Sequence, residues 1–309
     1  MRAEIEQAIE LIQRKDKKSL EQALELLQNT IFSFSMNVCG QRQDAEDTMQ
    51  EVLFQSLPNL PKFENPKALA VWLYKVAKSR CLMSRRKSKF APKAALSLDE
   101  LMRDRRELER LSNDPQVTPE TALLRRENAN HLREAVQKLP PDYRLILVLH
   151  DMEALADQEI AEITGLRLGT IRVRLHRARL FVRNELANAP SRASAPKMAK
   201  AAASSVAQPG ERACKQLFAE LSDYLDEELD ASLCEELEKH LGGCKPCQAF
   251  LSDLERSIQW CRTAPNSVPD PADAAKLRRE LFAKYEKVMK GAVTRKSPSA
   301  SASLEPRIR

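Results

Sequence analysis

Glycine is the scarcest structural signal in this chain: seven residues in 309, where about 7% would be usual. Dinucleotide-binding folds, P-loops and β-sandwiches need glycine at tight turns and wherever backbone approaches a ligand. Aromatic residues are also few, at 5%, while Leu, Ala, Glu, Lys and Arg, all good helix formers, abound. The expectation is an all-α protein of two or three domains. No window of 18 apolar residues exists, so no membrane span is predicted. The N-terminal run MRAEIEQAIELIQRKDKK carries acids throughout and lacks a long apolar core, so it does not read as a signal peptide. A cytoplasmic setting follows. There the seven cysteines are expected as thiols or metal ligands, not as structural disulfides.

The net charge of +6 matters less than its distribution. Residues 165–183 hold six arginines (Arg167, Arg172, Arg174, Arg177, Arg179, Arg183) and no acid. Residues 211–262 hold 12 acids and 6 bases, a net of −6. Two solvated faces would give this pattern. So would a polyanion-binding module with an acidic partner on the same chain.

Apolar spacing is helical along most of the chain. Leu20, Ala23, Leu24, Leu27 and Ile31 make one stripe. A helix is predicted from Asp44, with Asp44, Glu46 and Asp47 in the dipole-favoured first turn and Ala45, Met49, Val52 and Leu53 inward. Asn65-Pro66 is a strong helix start, and the helix behind it buries Leu69, Trp72, Leu73, Val76 and Ala77. Residues 1–90 form a first domain and 91–128 a charged linker. Residues 129–188 form a second helical block, followed by an Ala/Ser/Pro-rich tether at 189–209. Residues 210–262 make a small third block, and 263–309 an amphipathic helix (Ala274, Leu277, Leu281, Tyr285, Val288) with a basic tail.

In the second block, a short helix at Asp157–Thr164, a turn at Gly165 and a longer helix from about Gly169 have helix–turn–helix spacing. Ile171, Leu175, Ala178 and Val182 fall on the buried face of the longer helix. Its other faces present Arg172, Arg174, His176, Arg177, Arg179 and Arg183. Arginines on such a helix pair with phosphates and reach guanine edges in the major groove; a merely solvated basic helix is the bland alternative.

The run LREAVQKLPPDYRLILVLHDMEALADQEIAEITGLRLGTIRVRLHRARLFVRNEL resembles region 4 of the extracytoplasmic-function (ECF) sigma factors. DAEDTMQEVLFQSLPNLPKF, followed by ALAVWLYKVAKSRCLMSRRKSKF, resembles their region 2, and the two matches cover about 129–188 and 20–90. The resemblance implies core RNA polymerase as a partner, docked on Asp44, Asp47, Gln50 and Glu51, and promoter DNA as another. It implies that the helix after Pro66 reads the minus-10 element through Lys75, Lys78, Ser79 and Arg80, with Tyr74, Arg85 and Arg86 also available. Aromatic and basic side chains suit the unstacked bases of a melted duplex, although Trp72 lies on the apolar stripe and reads as core. Arg172, Val173, His176 and Arg177 occupy the matching minus-35 recognition positions, with Arg167 and Thr170 placed for phosphates. The chain departs from the family at several points. Ser79 stands where Asn is usual, Val173 where a polar residue is common, and Ala156 and Arg167 where short capping hydroxyls are usual. Asp157 is the expected substitute cap.

Cys214 together with His240-Leu-Gly-Gly-Cys244-Lys-Pro-Cys247 offers four ligands for a closed tetrahedral Zn2+ site. Gly242 and Gly243 would supply the turn, and the CxxC would open the next helix, whose dipole stabilises thiolates. A metal-free redox dithiol and ordinary buried cysteines are the alternatives. Cys39, Cys81, Cys234 and Cys261 read as bystanders. The surrounding run, ACKQLFAELSDYLDEELDASLCEELEKHLGGCKPCQAFLSDL, is similar to the zinc-containing anti-sigma domain. That resemblance implies an intramolecular contact, the acidic block on the basic ones, at the millimolar effective concentration a short tether gives. A passive stabilising or docking module is the alternative.

No HExxH, P-loop or GxGxxG occurs, so no enzyme is expected. The residues and the resemblance together point to an all-α, three-module sigma factor directing promoter-specific initiation. Two rival readings stay open: a helix–turn–helix regulator that needs no polymerase, and a redox-sensitive zinc interaction protein with degenerate DNA contacts.

Overall fold

A computed structural model describes residues 3–14, 16–86, 96, 122–187 and 220–293. Among these residues every regular element is helical. The first bundle begins with α1 (Ala3–Gln13) and α2 (Lys17–Cys39). Asp16 caps α2 by accepting from the Ser19 N–H at 2.9 Å. Gly40, at φ 83°, ends it by returning its N–H to the Met36 carbonyl, a left-handed position that a Cβ would strain. Helix α3 (Arg42–Ser56) starts two residues before the predicted Asp44, behind an extended Gln41 that makes no side-chain cap. Helix α4 (Pro66–Arg86) is capped by Asn65, which accepts from the Lys67 N–H at 2.9 Å. These helices pack around α2, where Leu24, Leu27, Ile31 and Phe34 are fully buried. Each such side chain contributes about 1.5–3 kcal/mol.

One cysteine expectation is overturned here. Cys39 and Cys81 are joined as a disulfide. The cause is tertiary: the last residue of α2 lies beside the middle of α4 with Cα atoms 5.2 Å apart, within the span of a disulfide. Thr48 of α3 packs on both sulfurs at 3.9 Å.

The second bundle comprises α5 (Ala122–Lys138), α6 (Pro141–Leu147) with a π-turn at Val148–Met152, α7 (Asp157–Thr164) and α8 (Leu168–Ala187). Gly165, at φ 75°, closes α7. The expected cap at its start is corrected. Glu159 accepts from the Ala156 N–H at 2.9 Å, because Asp157 is turned toward Arg172 at 3.1 Å.

The two bundles meet at the end of α2, where only the Met36 carbonyl is met by the cap residue Gly40 and the next carbonyls lack an intrahelical donor. Gln137 donates to the carbonyls of Met36 (3.1 Å) and Asn37 (2.9 Å), and Arg144 to that of Val38 (3.2 Å). Tyr74 donates to the buried Glu153 carboxylate, and Lys78 to the Ile163 carbonyl at 2.6 Å.

A third module follows, with a helical turn at 220–225, α9 (Ala231–Gly243) and α10 (Lys245–Arg262). Gly242 and Gly243 sit in the last turn of α9 and not in a separate turn; the extended Cys244 makes the junction. Helix α11 (Pro271–Val293) returns to the first bundle. There Ala274 accepts from Gln28 at 3.3 Å, Arg278 pairs with Glu25 at 3.4 Å, and Lys284 lies over the Phe54 ring. The predicted tether lies outside the described residues, as does most of the predicted linker, whose last residues, 122–128, already belong to α5.

Replacing Cys81 with serine removes a cross-link between residues 42 apart and lowers stability by about 2–4 kcal/mol. Urea unfolding checks this: dithiothreitol lowers the wild-type midpoint and leaves that of the variant unchanged.

Candidate nucleic-acid interface and metal cluster

Helix α8 carries five of the ten predicted DNA-contact residues. Ile171, Leu175, Ala178 and Val182 are buried in the helix–turn–helix core as their spacing predicts. The helix is also covered on a second side. Leu180 joins Leu221, Leu237, Cys247, Phe250, Leu254 and Ile258 of the third module in one apolar cluster. The basic residues on that side are therefore enclosed. Arg179, 1% exposed, donates to Asp151 at 2.9 and 2.6 Å and to Asp226 at 2.6 and 3.0 Å. Arg183 lies 3.2 Å from Asp253 and 4.0 Å from the centre of the Phe250 ring. Arg172 pairs with Asp157 at 3.1 Å and with Glu228.

In this arrangement His176 is covered by the third module: it is buried, and its Nδ1 shares a hydrogen bond with the Ser222 hydroxyl at 2.9 Å. Arg179 and Arg183 are enclosed in the same way. At the other end of α8, Arg167, Thr170 and Val173 are exposed. Arg177 is half-buried and donates to the Leu96 carbonyl at 3.1 Å.

Electrostatics explain how so many cations are enclosed. Burial alone would lower the Arg179 pKa and raise that of Asp151, yet their mutual attraction overrides both. Asp151 is held well below the usual carboxylate range and Arg179 above its ordinary value. Asp223, half-buried beside Arg172, is pushed up by desolvation.

The residues predicted to meet polymerase and those predicted to meet the minus-10 element touch at one ion pair. Glu51 pairs with Arg80 at 2.7 Å, joining α3 to α4. Asp47 and Gln50 are exposed and Asp44 is half-buried. Ser79 donates to the Lys75 carbonyl at 3.1 Å. Lys78, its pKa lowered by burial and by Lys75, points toward α7. Trp72 is half-buried beside Phe63, with ring centres 6.1 Å apart. The side chains of Arg85 and Arg86 lie outside the described residues.

In the third module the ligand atoms of His240, Cys244 and Cys247 lie within 4.8 Å of one another. His240 Nε2 is 3.3 Å from the Cys247 sulfur, which is 3.3 Å from that of Cys244. Bonds of about 2.0–2.3 Å in a tetrahedron separate ligands by roughly 3.3–3.8 Å, so the two separations at Cys247 match such a site and the cluster is compatible with zinc. Cys214, the fourth predicted ligand, lies outside the described residues.

Sequence reasoning missed Arg144, Asp151, Glu153, Asp226 and Glu228. The opposite charges of 165–183 and 211–262 signalled that acids would meet α8, but not which acids.

Comparison with known proteins assigns these modules. The Sigma-70 region 2 family matches residues 24–90, the Sigma-70 region 4 family matches 130–182, and a zinc-finger family matches 214–248. The ECF RNA polymerase sigma factor SigW of Bacillus subtilis is 26% identical over 182 residues, 59% of this chain and 96% of that protein. The RNA polymerase sigma-H factor of Pseudomonas aeruginosa is 27% identical over 180 residues, 56% of this chain and 89% of its own. The ECF RNA polymerase sigma-E factor of Escherichia coli K12 is 25% identical over 182 residues, 58% and 92%. The chain is thus helical among the described residues, with stretches that match sigma-70 regions 2 and 4 and a zinc-finger family. In sequence its first two modules are similar to the ECF sigma factors.

Two outcomes follow. Burial, with Arg179 and Arg177 nearby, pushes His176 down to about 4 from an ordinary 6.5. The unfolded chain therefore takes up this proton first. The stability it confers is whole above pH about 6.5 and is lost as pH falls from there toward 4, up to about 3 kcal/mol. Thermal unfolding between pH 7.5 and 4.5 checks this, and His176→Gln flattens that part of the profile. Separately, Cys247→Ser abolishes stoichiometric zinc in the purified chain, measured by metal analysis. It also lowers the melting temperature, because Cys247 packs in the α8–α10 apolar cluster.

Proposed function

We propose that this chain binds core RNA polymerase and directs promoter-specific initiation. Residues 1–90 and 129–188 are its working domains, and 210–262 is a built-in regulator. Asp44, Asp47, Gln50 and Glu51 dock on polymerase. Lys75, Lys78, Ser79 and Arg80 serve the minus-10 element, and Arg167, Thr170, Arg172, Val173, His176 and Arg177 the minus-35 element. His240, Cys244, Cys247 and Cys214 hold Zn2+, which when bound ties the end of α9 to the start of α10.

The observation that carries the regulatory part is the pairing of Arg172 and Arg179 with Glu228 and Asp226. Guanidinium groups recognise carboxylate and phosphate through the same planar fork. Carboxylates of the third module and DNA phosphates therefore compete for one set of donors. Tyr74 and Lys78 of the minus-10 helix are engaged with the second bundle in the same arrangement. DNA reading thus requires both contacts to open.

Run-off transcription with purified core polymerase tests both parts. The wild-type chain directs initiation, and Asp226→Asn with Glu228→Gln raises it severalfold by weakening the competing contact. Equal activity of the two chains removes the regulatory role. A chain that never associates with core polymerase removes the sigma-factor reading.

A further inference from the structure

Three large apolar side chains are exposed among the described residues: Leu168 (38%), Val173 (49%) and Val268 (60%). Two of the three lie in the first two turns of α8. Val173 is the odd one in its setting. Arg172 and Arg174 flank it in sequence, and a β-branched side chain exposed on a helix lowers helix propensity without burying anything. Folding alone gives this position no reason to be apolar.

Its surroundings identify what it meets. The third module leaves this end of α8 open, with Arg167, Gly169 and Thr170 all exposed. A Cβ built on Gly169 meets nothing within 4 Å, so an incoming surface can approach closely. Thr170, Val173 and Arg177 share one helix face by their spacing of three and four. Arg172 and Arg174 border that face, and their guanidinium groups, now paired with Asp157, Glu228 and Asp142, suit exchange for phosphates. In a helix–turn–helix, the N-terminal residues of the second helix are the ones that meet base edges. Among the base pairs, only those with thymine offer a methyl group in the major groove, and it is read by apolar contact.

Building on the promoter-binding reading above, we infer that Val173 is a specificity-determining residue that packs on the 5-methyl group of one thymine in the minus-35 element. Thr170 and Arg177 flank it on the same groove edge.

The test uses the full chain with core polymerase. Templates are selected from a library randomised across the minus-35 element, and each selected thymine is then replaced by uracil, which removes only the methyl. The wild-type chain loses about fourfold in initiation at one position, the effect of one methyl group no longer buried. Val173→Ala, at an exposed site where folding is unaffected, initiates equally from thymine and uracil there. An Asp226→Asn, Glu228→Gln background is run in parallel, so that a chain held shut by its third module still reports base reading. Equal wild-type initiation from every thymine and uracil template overturns the inference, as does a Val173→Ala chain that keeps the thymine preference. Absence of initiation in both backgrounds overturns the sigma-factor reading beneath it.

Discussion

The arrangement turns on one buried guanidinium. Arg179 is enclosed on a helix whose other basic residues would ordinarily be solvated, and taking such a charge out of water costs several kcal/mol unless it is paired and hydrogen-bonded. Two carboxylates answer it, and they are not equivalent. Asp151 belongs to the same bundle and is itself buried, whereas Asp226 comes from the third module and keeps some contact with water. If the module leaves, Asp151 still neutralises Arg179, and the face that Asp226 occupied becomes free for another anion. The pairing is therefore separable without orphaning a buried charge.

The same logic of satisfied groups holds the two sigma-type bundles together. The end of α2 carries carbonyls without helical partners, and Gln137 and Arg144 of the second bundle fill that need. Tyr74 and Lys78, on the helix assigned to the minus-10 element, also point into this junction. The helix proposed to read melted DNA and the helix proposed to read the minus-35 element are each engaged by a neighbour. Both contacts combine polar satisfaction with shared apolar burial, one core cluster spanning the two bundles and another joining Leu180 to the third module.

The candidate metal cluster and the interface share residues, Cys247 within the apolar cluster and Cys244 packed against it. Cys247 belongs both to the His240–Cys244–Cys247 cluster and to the apolar cluster that contains Leu180 of α8. A change at the thiols is therefore felt at the surface that covers the recognition helix. Cys261 contributes differently. It is fully buried, and burial, with Asp151 nearby, pushes its thiol up, so it packs as an apolar side chain rather than as a thiolate.

Local rules determined most of the helices. Glycine scarcity and 3.6-residue spacing gave the all-α class, Asn65-Pro66 and Gly165 marked real helix ends, and Ile171, Leu175, Ala178 and Val182 were recognisable as one buried stripe. The His-x3-Cys-x2-Cys spacing was enough to bring three ligands together, because they lie within eight residues across one helix junction. What sequence could not determine depends on residues far apart along the chain. The Cys39–Cys81 bridge, the Asp151–Arg179–Asp226 network and the burial of His176 under Ser222 all arise where one element packs against another. Spacing along a chain specifies which face a side chain occupies. Only packing decides whether that face meets water or another part of the protein, and for α8 that decision turned basic residues meant for solvent into the centre of an internal contact.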